Sequence, residues 1–126
     1  MTKHFKGSPL KLWLAAAAWA GIIFYLSSRS TMPLQPPFRG FDKLVHAFEY
    51  GLLCLLLARA IHPVSIFRIS TRAWTAAVLA SFLYGISDEI HQAFVPCRSC
   101  ETWDALFDLL GAAVTAFIAS RFRDKR

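Results

Sequence analysis

Residues 10–26 of the chain read LKLWLAAAAWAGIIFYL, an apolar run interrupted only by Lys11. The run has no polar face, whereas a helix on the surface of a soluble bundle keeps one side polar. It is also longer than the roughly 7–15 apolar residues of a signal peptide, and no clear small-x-small cleavage site follows Leu26. We therefore predict that this segment is a retained membrane-spanning helix.

Three further apolar blocks follow along the 126 residues, of which 56% are hydrophobic. Each block is close to the lower end of the roughly 17–25 residues that a spanning helix needs. The pattern predicts one domain over residues 1–126, an all-α polytopic membrane protein with four transmembrane helices. The predicted spans are residues 10–27, 44–61, 73–91 and 104–120.

Charge is distributed unevenly between the two sides of these spans. The two terminal tails and the middle loop hold ten basic residues and one acidic residue, a net charge of +9. The first and third loops, with the helix ends beside them, hold four basic and seven acidic residues, a net charge of −3. Because basic loops stay in the cytoplasm, we predict that both termini are cytoplasmic. Topology accounts for the overall charge of +6, so we predict membrane lipid and no nucleic acid as a partner.

Seven of the eight acidic residues lie in or beside the first and third loops, and helical spacing gathers them into stripes with other polar residues. Ionisable groups at such depth are costly in lipid and usually face a protein interior or a water-filled cavity. We therefore expect the stripes to converge. The acidic residues concerned are Asp42, Glu49, Asp88, Glu89, Glu101, Asp104 and Asp108.

A polar cluster of this kind has three possible uses. It can be a structural network that joins helices, an acid–base or ligand-binding site, or a metal site. Asp88 and His91 have the i, i+3 spacing that places two ligands on one helix face. However, His46 and His91 lie on different helices without a tight motif, so we predict no metal site and no cofactor.

Three ordered motifs run through residues 20–115. They are Asp42-Lys43-x-x-His46-x-x-x-Tyr50, Tyr84-Gly85-x-x-x-Glu89-x-x-Gln92-x-Phe94-x-Pro96-x-Arg98 and Asp104-x-x-x-Asp108-x-x-Gly111. In this order they resemble the VanZ-like family. The resemblance implies a small bacterial protein of the cytoplasmic membrane, from a family whose founding member is linked to low-level resistance to the glycopeptide teicoplanin. Asp108 is a departure, since the family usually has Asn there.

The motifs and the resemblance together predict an envelope protein with an outward-facing polar site. It would bind or act on a lipid-linked cell-wall precursor or a glycopeptide-type molecule, and would contribute to antibiotic resistance. Glu89 and His46 are the predicted catalytic residues, for proton transfer or polar recognition, and Lys43 and Arg98 would hold an anionic group. The predicted substrate-binding residues are Asp42, Lys43, Tyr50, Gln92, Arg98, Asp104 and Asp108.

Other readings of the same residues remain open. Enzyme and binding protein are not separated by the sequence, and a third reading is a non-catalytic interaction protein whose polar cluster only joins helices. A transporter is least favoured, because the inner halves of the spans are apolar. Cys97 and Cys100 are predicted to form a small disulfide loop on the oxidising side of the membrane.

Overall fold

A computed structural model describes residues 8–30, 36–98 and 100–123, and within these ranges the secondary structure is helical. The long helices are α1 (Pro9–Ser27), α2 (Phe41–Ile61), α3 (Thr71–Gln92) and α4 (Thr102–Arg121). A single 3-10 turn, Ile66–Arg68, lies between α2 and α3. The all-α prediction is therefore confirmed, and each helix begins one to three residues before the predicted span.

Local sequence explains where these helices begin and end. Pro9 is the first residue of α1, a position where proline's missing N–H costs nothing. The Ser70 hydroxyl caps α3 by accepting a hydrogen bond of 3.2 Å from the Ala73 amide. Gly40, just before α2, has a φ of 88°, which glycine adopts without steric penalty. The residues at the starts of α1, α2 and α3 are therefore of types that suit those positions.

Three of the four helices, α1, α2 and α4, are long and apolar enough to cross a membrane. Helix α3 has 22 residues, but Arg72, Asp88 and Glu89 make it less apolar than the others. The structure thus supports a multi-pass membrane protein with three clear spans. A fourth span in α3 stays a proposal, supported by the packing of α3 against both α2 and α4.

The bundle has an apolar exterior and a polar interior at one end. Exposed side chains on the helices are mostly large and apolar, among them Leu14, Phe24, Phe48, Leu83 and Phe117, each more than half exposed. An apolar lateral surface of this extent suits lipid rather than water. The buried polar side chains are Ser27, His46, Ser81, Asp88, Glu89, Gln92, Asp104 and Asp108.

Helices α2 and α4 make the closest approach in the bundle. A β-carbon added to Gly111 would overlap the Ala47 carbonyl oxygen and would lie 2.7 Å from the Ala47 Cα. A β-carbon on Gly51 would likewise lie 2.8 Å from the Thr115 hydroxyl oxygen. Small residues allow membrane helices to pack backbone against backbone. This contact fixes the register of α2 against α4 directly beside the polar side chains.

Helix α1 is attached to α2 and α3 by polar contacts as well as apolar packing. The Trp19 indole N–H donates to the Glu49 carbonyl at 2.8 Å, and the Tyr84 hydroxyl donates to the Ala20 carbonyl at 2.7 Å. Ile23 packs with Tyr50 and Leu53 in a small buried cluster. The main apolar core lies in the opposite half of the bundle, among Cys54, Ala58, Ile69, Ala73, Trp74, Ala77, Ala112 and Ala119.

Candidate functional site at the acidic end

The polar side chains meet at the end of the bundle where α1 and α3 finish and α2 and α4 begin. We call this the acidic end; it contains the residues around His46 on α2, Glu89 on α3 and Asp108 on α4. The stripes predicted from helical spacing do converge there. The convergence follows from the antiparallel arrangement, because the polar residues lie late in α1 and α3 and early in α2 and α4.

His46 and Asp108 form a buried pair at the acidic end. The His46 Nδ1 lies 2.8 Å from Asp108 Oδ1, and the Asp108 side chain is completely buried. The other ring nitrogen, Nε2, lies 3.7 Å from Asp104 Oδ2. A carboxylate that accepts from one ring nitrogen fixes the orientation of a histidine and leaves the second nitrogen for chemistry. The imidazole is therefore held between two carboxylates of α4.

Asp108 is held close to α3 by the absence of a side chain at Gly85. A β-carbon at Gly85 would lie 2.7 Å from Asp108 Oδ2. That oxygen is buried and has no hydrogen-bond partner among the described residues. The motif glycine thus makes room for a carboxylate oxygen that nothing in the described chain satisfies.

Glu89 approaches the same place from α3 and is 4% exposed. Its Oε2 accepts a hydrogen bond of 3.3 Å from the Glu101 amide, while its Oε1 is buried without a partner among the described residues. One nitrogen of His46 and one carboxylate oxygen each of Glu89 and Asp108 lie within 4.8 Å of one another. Three helices therefore bring a nitrogen and two oxygens to one point, an arrangement with the composition of a metal site.

Lys43 is surrounded by carboxylates. Its ammonium contacts Asp42 Oδ2 at 3.0 Å, Glu101 Oε2 at 2.7 Å and, most closely, Asp104. The sequence predicted that Lys43 would hold an anionic group. In the structure its charge is already balanced by three acidic partners, so it ties the start of α2 to the start of α4.

Asp88 belongs to a second network that joins α1 to α3. The Ser27 hydroxyl donates to Asp88 Oδ2 at 2.7 Å, and the Gln92 amide donates to the same oxygen at 3.1 Å. Asp88 and His91 do not act together, because His91 Nε2 instead lies 2.9 Å from the Ser28 hydroxyl. Asp88 and His91 therefore contact two different serines at the end of α1 and do not share a partner.

Arg98 fastens the loop between α3 and α4 to the end of α1. Its Nε donates to the Arg29 carbonyl and its Nη2 donates to the Leu26 carbonyl, each at 2.9 Å. A basic side chain that satisfies the last carbonyls of a helix is a common form of C-terminal capping. The predicted anion-binding arginine thus has a positioning role as well.

A cavity of about 220 Å³ opens at the acidic end. Most of its lining is polar, and it includes residues from α2, α3, α4 and both loops at this end. His46 forms part of the wall, so the buried histidine can be reached from the cavity. The lining residues are Ser30, Asp42, His46, Gln92, Cys97, Arg98, Glu101 and Asp104.

Tyr50 and the Cys97–Cys100 pair are the remaining predicted site residues, and of these only Cys97 lines the cavity. Tyr50 is fully buried, with its ring parallel to that of His46 at a centroid separation of 6.5 Å. It therefore packs beneath His46 instead of lining the opening. Cys97 and Cys100 are both exposed, and a disulfide between them stays a prediction. Cys97 occupies a turn with a φ of 63°.

Sequence reasoning assigned no site role to Ser27, Ser30 and Glu101. Ser27 and Glu101 bind charged partners of the site, and Ser30 lines the cavity. Serines at the end of an apolar span are usually caps or solvated residues, so composition alone gives them no weight. The feature of the sequence that could have indicated a role for Ser27 is its position beside Ser28 at the end of the first span.

The fold and this polar end define a multi-pass helical membrane protein with a buried ionisable site. A family model described as VanZ/LLP1 matches residues 10–123, so the chain belongs to the VanZ/LLP1 family. This match confirms the resemblance found in the motifs. No curated protein and no solved structure matches the chain.

Proposed function

We propose that this protein binds the polar head group of a lipid-linked cell-envelope precursor at the outer face of the bacterial cytoplasmic membrane. The observation that carries the proposal is the cavity at the acidic end, in a bundle whose sides are apolar. A lipid-linked molecule can place its chain against the apolar sides while its head group enters the cavity. The outward orientation rests on the positive-inside rule.

The size of the cavity favours a head group over a whole glycopeptide. Sites for drug-sized ligands measure roughly 300–1,000 Å³, whereas this cavity measures about 220 Å³. It would therefore hold a fragment such as a phosphate or a sugar. Asp42, Glu101 and Asp104 supply acceptors for hydroxyl or amino groups, and Arg98 is the basic residue of the lining.

The buried His46–Asp108 pair supports acid–base chemistry as well as recognition. A carboxylate that orients an imidazole is the arrangement by which many enzymes prepare a histidine for proton transfer. Here His46 lies in the cavity wall, and ligand-competent atoms of His46, Glu89 and Asp108 lie within 4.8 Å of one another. We propose that these three side chains contact the head group or move a proton on it.

The alternative function is a non-catalytic interaction protein whose polar groups only join helices. The contacts of Lys43 and the Ser27–Asp88–Gln92 network suit that role. The oxygens Asp88 Oδ1, Glu89 Oε1 and Asp108 Oδ2 do not, because they are buried without partners among the described residues. Polar groups that serve only to join helices are normally satisfied, which favours a site that receives a ligand.

The test uses purified protein in nanodiscs with a polyprenyl-diphosphate-linked cell-wall precursor. Binding is measured by native mass spectrometry, and the mixture is also assayed for a released or transferred product. We expect wild type to retain the precursor and Glu89→Gln and His46→Asn to lose it. Phe48→Leu, on the lipid-facing side of α2, is the control and should bind normally.

Three outcomes separate the alternatives. Equal precursor binding by wild type and both site variants would refute the proposed site. Product formation that requires His46 would establish an enzyme, and binding without product would establish a binding protein.

The family resemblance also implies a contribution to glycopeptide resistance, which we propose follows from precursor binding. Loss of teicoplanin protection in cells that express Glu89→Gln at normal levels would support that link.

A further inference from the structure

The point where His46, Glu89 and Asp108 meet lies at the centre of three helices. Each residue comes from a different helix, and the three side chains are 7%, 4% and 0% exposed. Their ligand-competent atoms lie within 4.8 Å of one another. A tetrahedral zinc ion has bonds of about 2.0–2.2 Å, which place its ligands roughly 3.4 Å apart. Small side-chain movements would bring the three atoms to that spacing.

Each of the two carboxylates, Glu89 and Asp108, has one oxygen without a partner among the described residues. These oxygens are Glu89 Oε1 and Asp108 Oδ2, and both are buried. An ionised carboxylate buried without compensation is costly, and two of them close together repel each other. The nearby ammonium of Lys43 is taken by Asp42, Glu101 and Asp104. A cation between the two carboxylates would satisfy both oxygens and reduce their repulsion.

His46 is placed as a metal-binding histidine should be. A ligating imidazole usually directs its second nitrogen to a carboxylate, which fixes the ring orientation. One nitrogen of His46 faces Asp108 at 2.8 Å and the other faces Asp104 at 3.7 Å. Whichever nitrogen takes a metal, the other therefore faces a carboxylate.

We propose that His46, Glu89 and Asp108 bind one divalent transition-metal ion. One imidazole nitrogen with two carboxylates suits zinc or manganese better than calcium or magnesium, which prefer oxygen ligands alone. The cavity supplies access, because His46 lies in its wall. Metal binding deepens the proposed function, since a cation at this wall attracts the phosphates of a head group. Only that phosphate role rests on the proposed function.

The histidines lie on different helices, and on that ground the sequence predicted no metal site. The packed bundle brings carboxylates beside one of them, His46, so the proposed site does not need a second histidine. Only one histidine takes part, and its carboxylate co-ligands come from the two neighbouring helices. Ligands on separate spans do not form a local motif, so only the packed bundle reveals them.

The experiment is a zinc titration of chelator-stripped protein in detergent, without any precursor. We expect wild type to bind one equivalent, and Glu89→Gln and Asp108→Asn to lose at least the roughly tenfold to hundredfold in affinity that even outer-shell changes cause. Phe48→Leu is the control, because Phe48 is on the same helix as His46 but is exposed on the side of the bundle. It should bind zinc as wild type does. X-ray absorption at the zinc edge should report one nitrogen and two or more oxygen ligands.

Thermal unfolding of each stripped variant shows whether it is folded. Folded wild type that takes up no zinc would overturn the proposal, and would mean that protons satisfy the carboxylates. Equal zinc affinity in wild type, Glu89→Gln and Asp108→Asn would overturn it too, because the metal would then lie elsewhere. Since no precursor is present, a failure here leaves the head-group proposal intact.

Discussion

Gly111 on α4 lies directly against the backbone of Ala47 on α2. A β-carbon at position 111 would overlap the Ala47 carbonyl oxygen. His46 precedes Ala47, and Asp108 lies one helical turn before Gly111, so the same approach sets the 2.8 Å contact of His46 with Asp108. A packing feature of the membrane helices therefore determines the geometry of the ionisable site.

Gly111→Ala should consequently destabilise the bundle and disturb the site. Overpacking typically costs about 1–3 kcal/mol, and the neighbour here is backbone, which cannot turn aside. Gly21→Ala is the matched control, because a β-carbon there meets nothing within 4 Å. It should be neutral or stabilising by up to about 1 kcal/mol. The measurement is the free energy of unfolding of both variants in detergent. A Gly111→Ala variant as stable as wild type would contradict the close approach of α4 to α2.

Ser27→Ala should weaken the attachment of α1. The change removes the 2.7 Å hydrogen bond to Asp88 and leaves that oxygen with Gln92 alone. Bonds to charged groups contribute more than neutral ones, although membrane hydrogen bonds average less, so we expect a loss of about 1–2 kcal/mol.

The neighbouring Ser28→Ala is the comparison for that measurement. The Ser28 hydroxyl is exposed and contacts the Phe24 carbonyl of its own helix and His91. Its removal should change the unfolding free energy by less than about 0.5 kcal/mol. If the two serine variants unfold alike, the Ser27–Asp88 contact does not hold α1.

The helices were predictable from sequence because apolar blocks of spanning length have few alternative structures. The gathering of polar residues was predictable for a related reason, since lipid excludes them from the outer faces. The contacts between particular polar side chains were not predictable from the sequence. Helical spacing groups Asp88 with His91, but residues at i and i+3 differ in direction by about 60° on the helix. Asp88 therefore reaches Ser27 while His91 reaches Ser28.

The sequence predicted that Lys43 could neutralise nearby acids, but not which acids it would contact. The composition of the loops placed Lys43 and Arg98 at the depth of many acids, where they could neutralise part of that charge and also hold an anionic ligand. Glu101 and Asp104 reach Lys43 only because the start of α4 packs beside the start of α2. Side-chain direction at a helix–helix contact depends on crossing geometry, which residue order does not contain.

The proposed orientation places the acidic end outside the cytoplasm. Two exposed aromatic residues provide probe positions on opposite sides, Phe38 before α2 and Phe67 in the 3-10 turn. In a Cys97→Ser, Cys100→Ser background, a membrane-impermeant maleimide should label Phe38→Cys in intact cells. Phe67→Cys should be labelled only after permeabilisation. The reverse labelling pattern would refute the orientation and with it the outer-leaflet site.

Arg98→Lys tests whether Arg98 acts through its shape or only through its charge. The guanidinium spans two carbonyls of the α1 end, Leu26 and Arg29, at 2.9 Å each. A lysine keeps the positive charge but has a single ammonium nitrogen on a flexible chain, so it cannot reproduce this fork. We expect faster hydrogen exchange at the end of α1 and weaker precursor binding, because the cavity wall would lose its fixed position.

Arg29→Lys is the control for this last change. Arg29 reaches the Tyr25 hydroxyl of its own helix at 3.4 Å, so its replacement should leave both exchange and binding close to wild type. If Arg98→Lys binds the precursor normally and hydrogen exchange is unchanged, the positive charge at position 98 is sufficient for binding and the shape of the guanidinium is not needed. If exchange rises while binding is unchanged, the loop holds α1 but does not shape the site. Only a change in both hydrogen exchange and precursor binding would show that the capping of α1 by Arg98 supports the cavity.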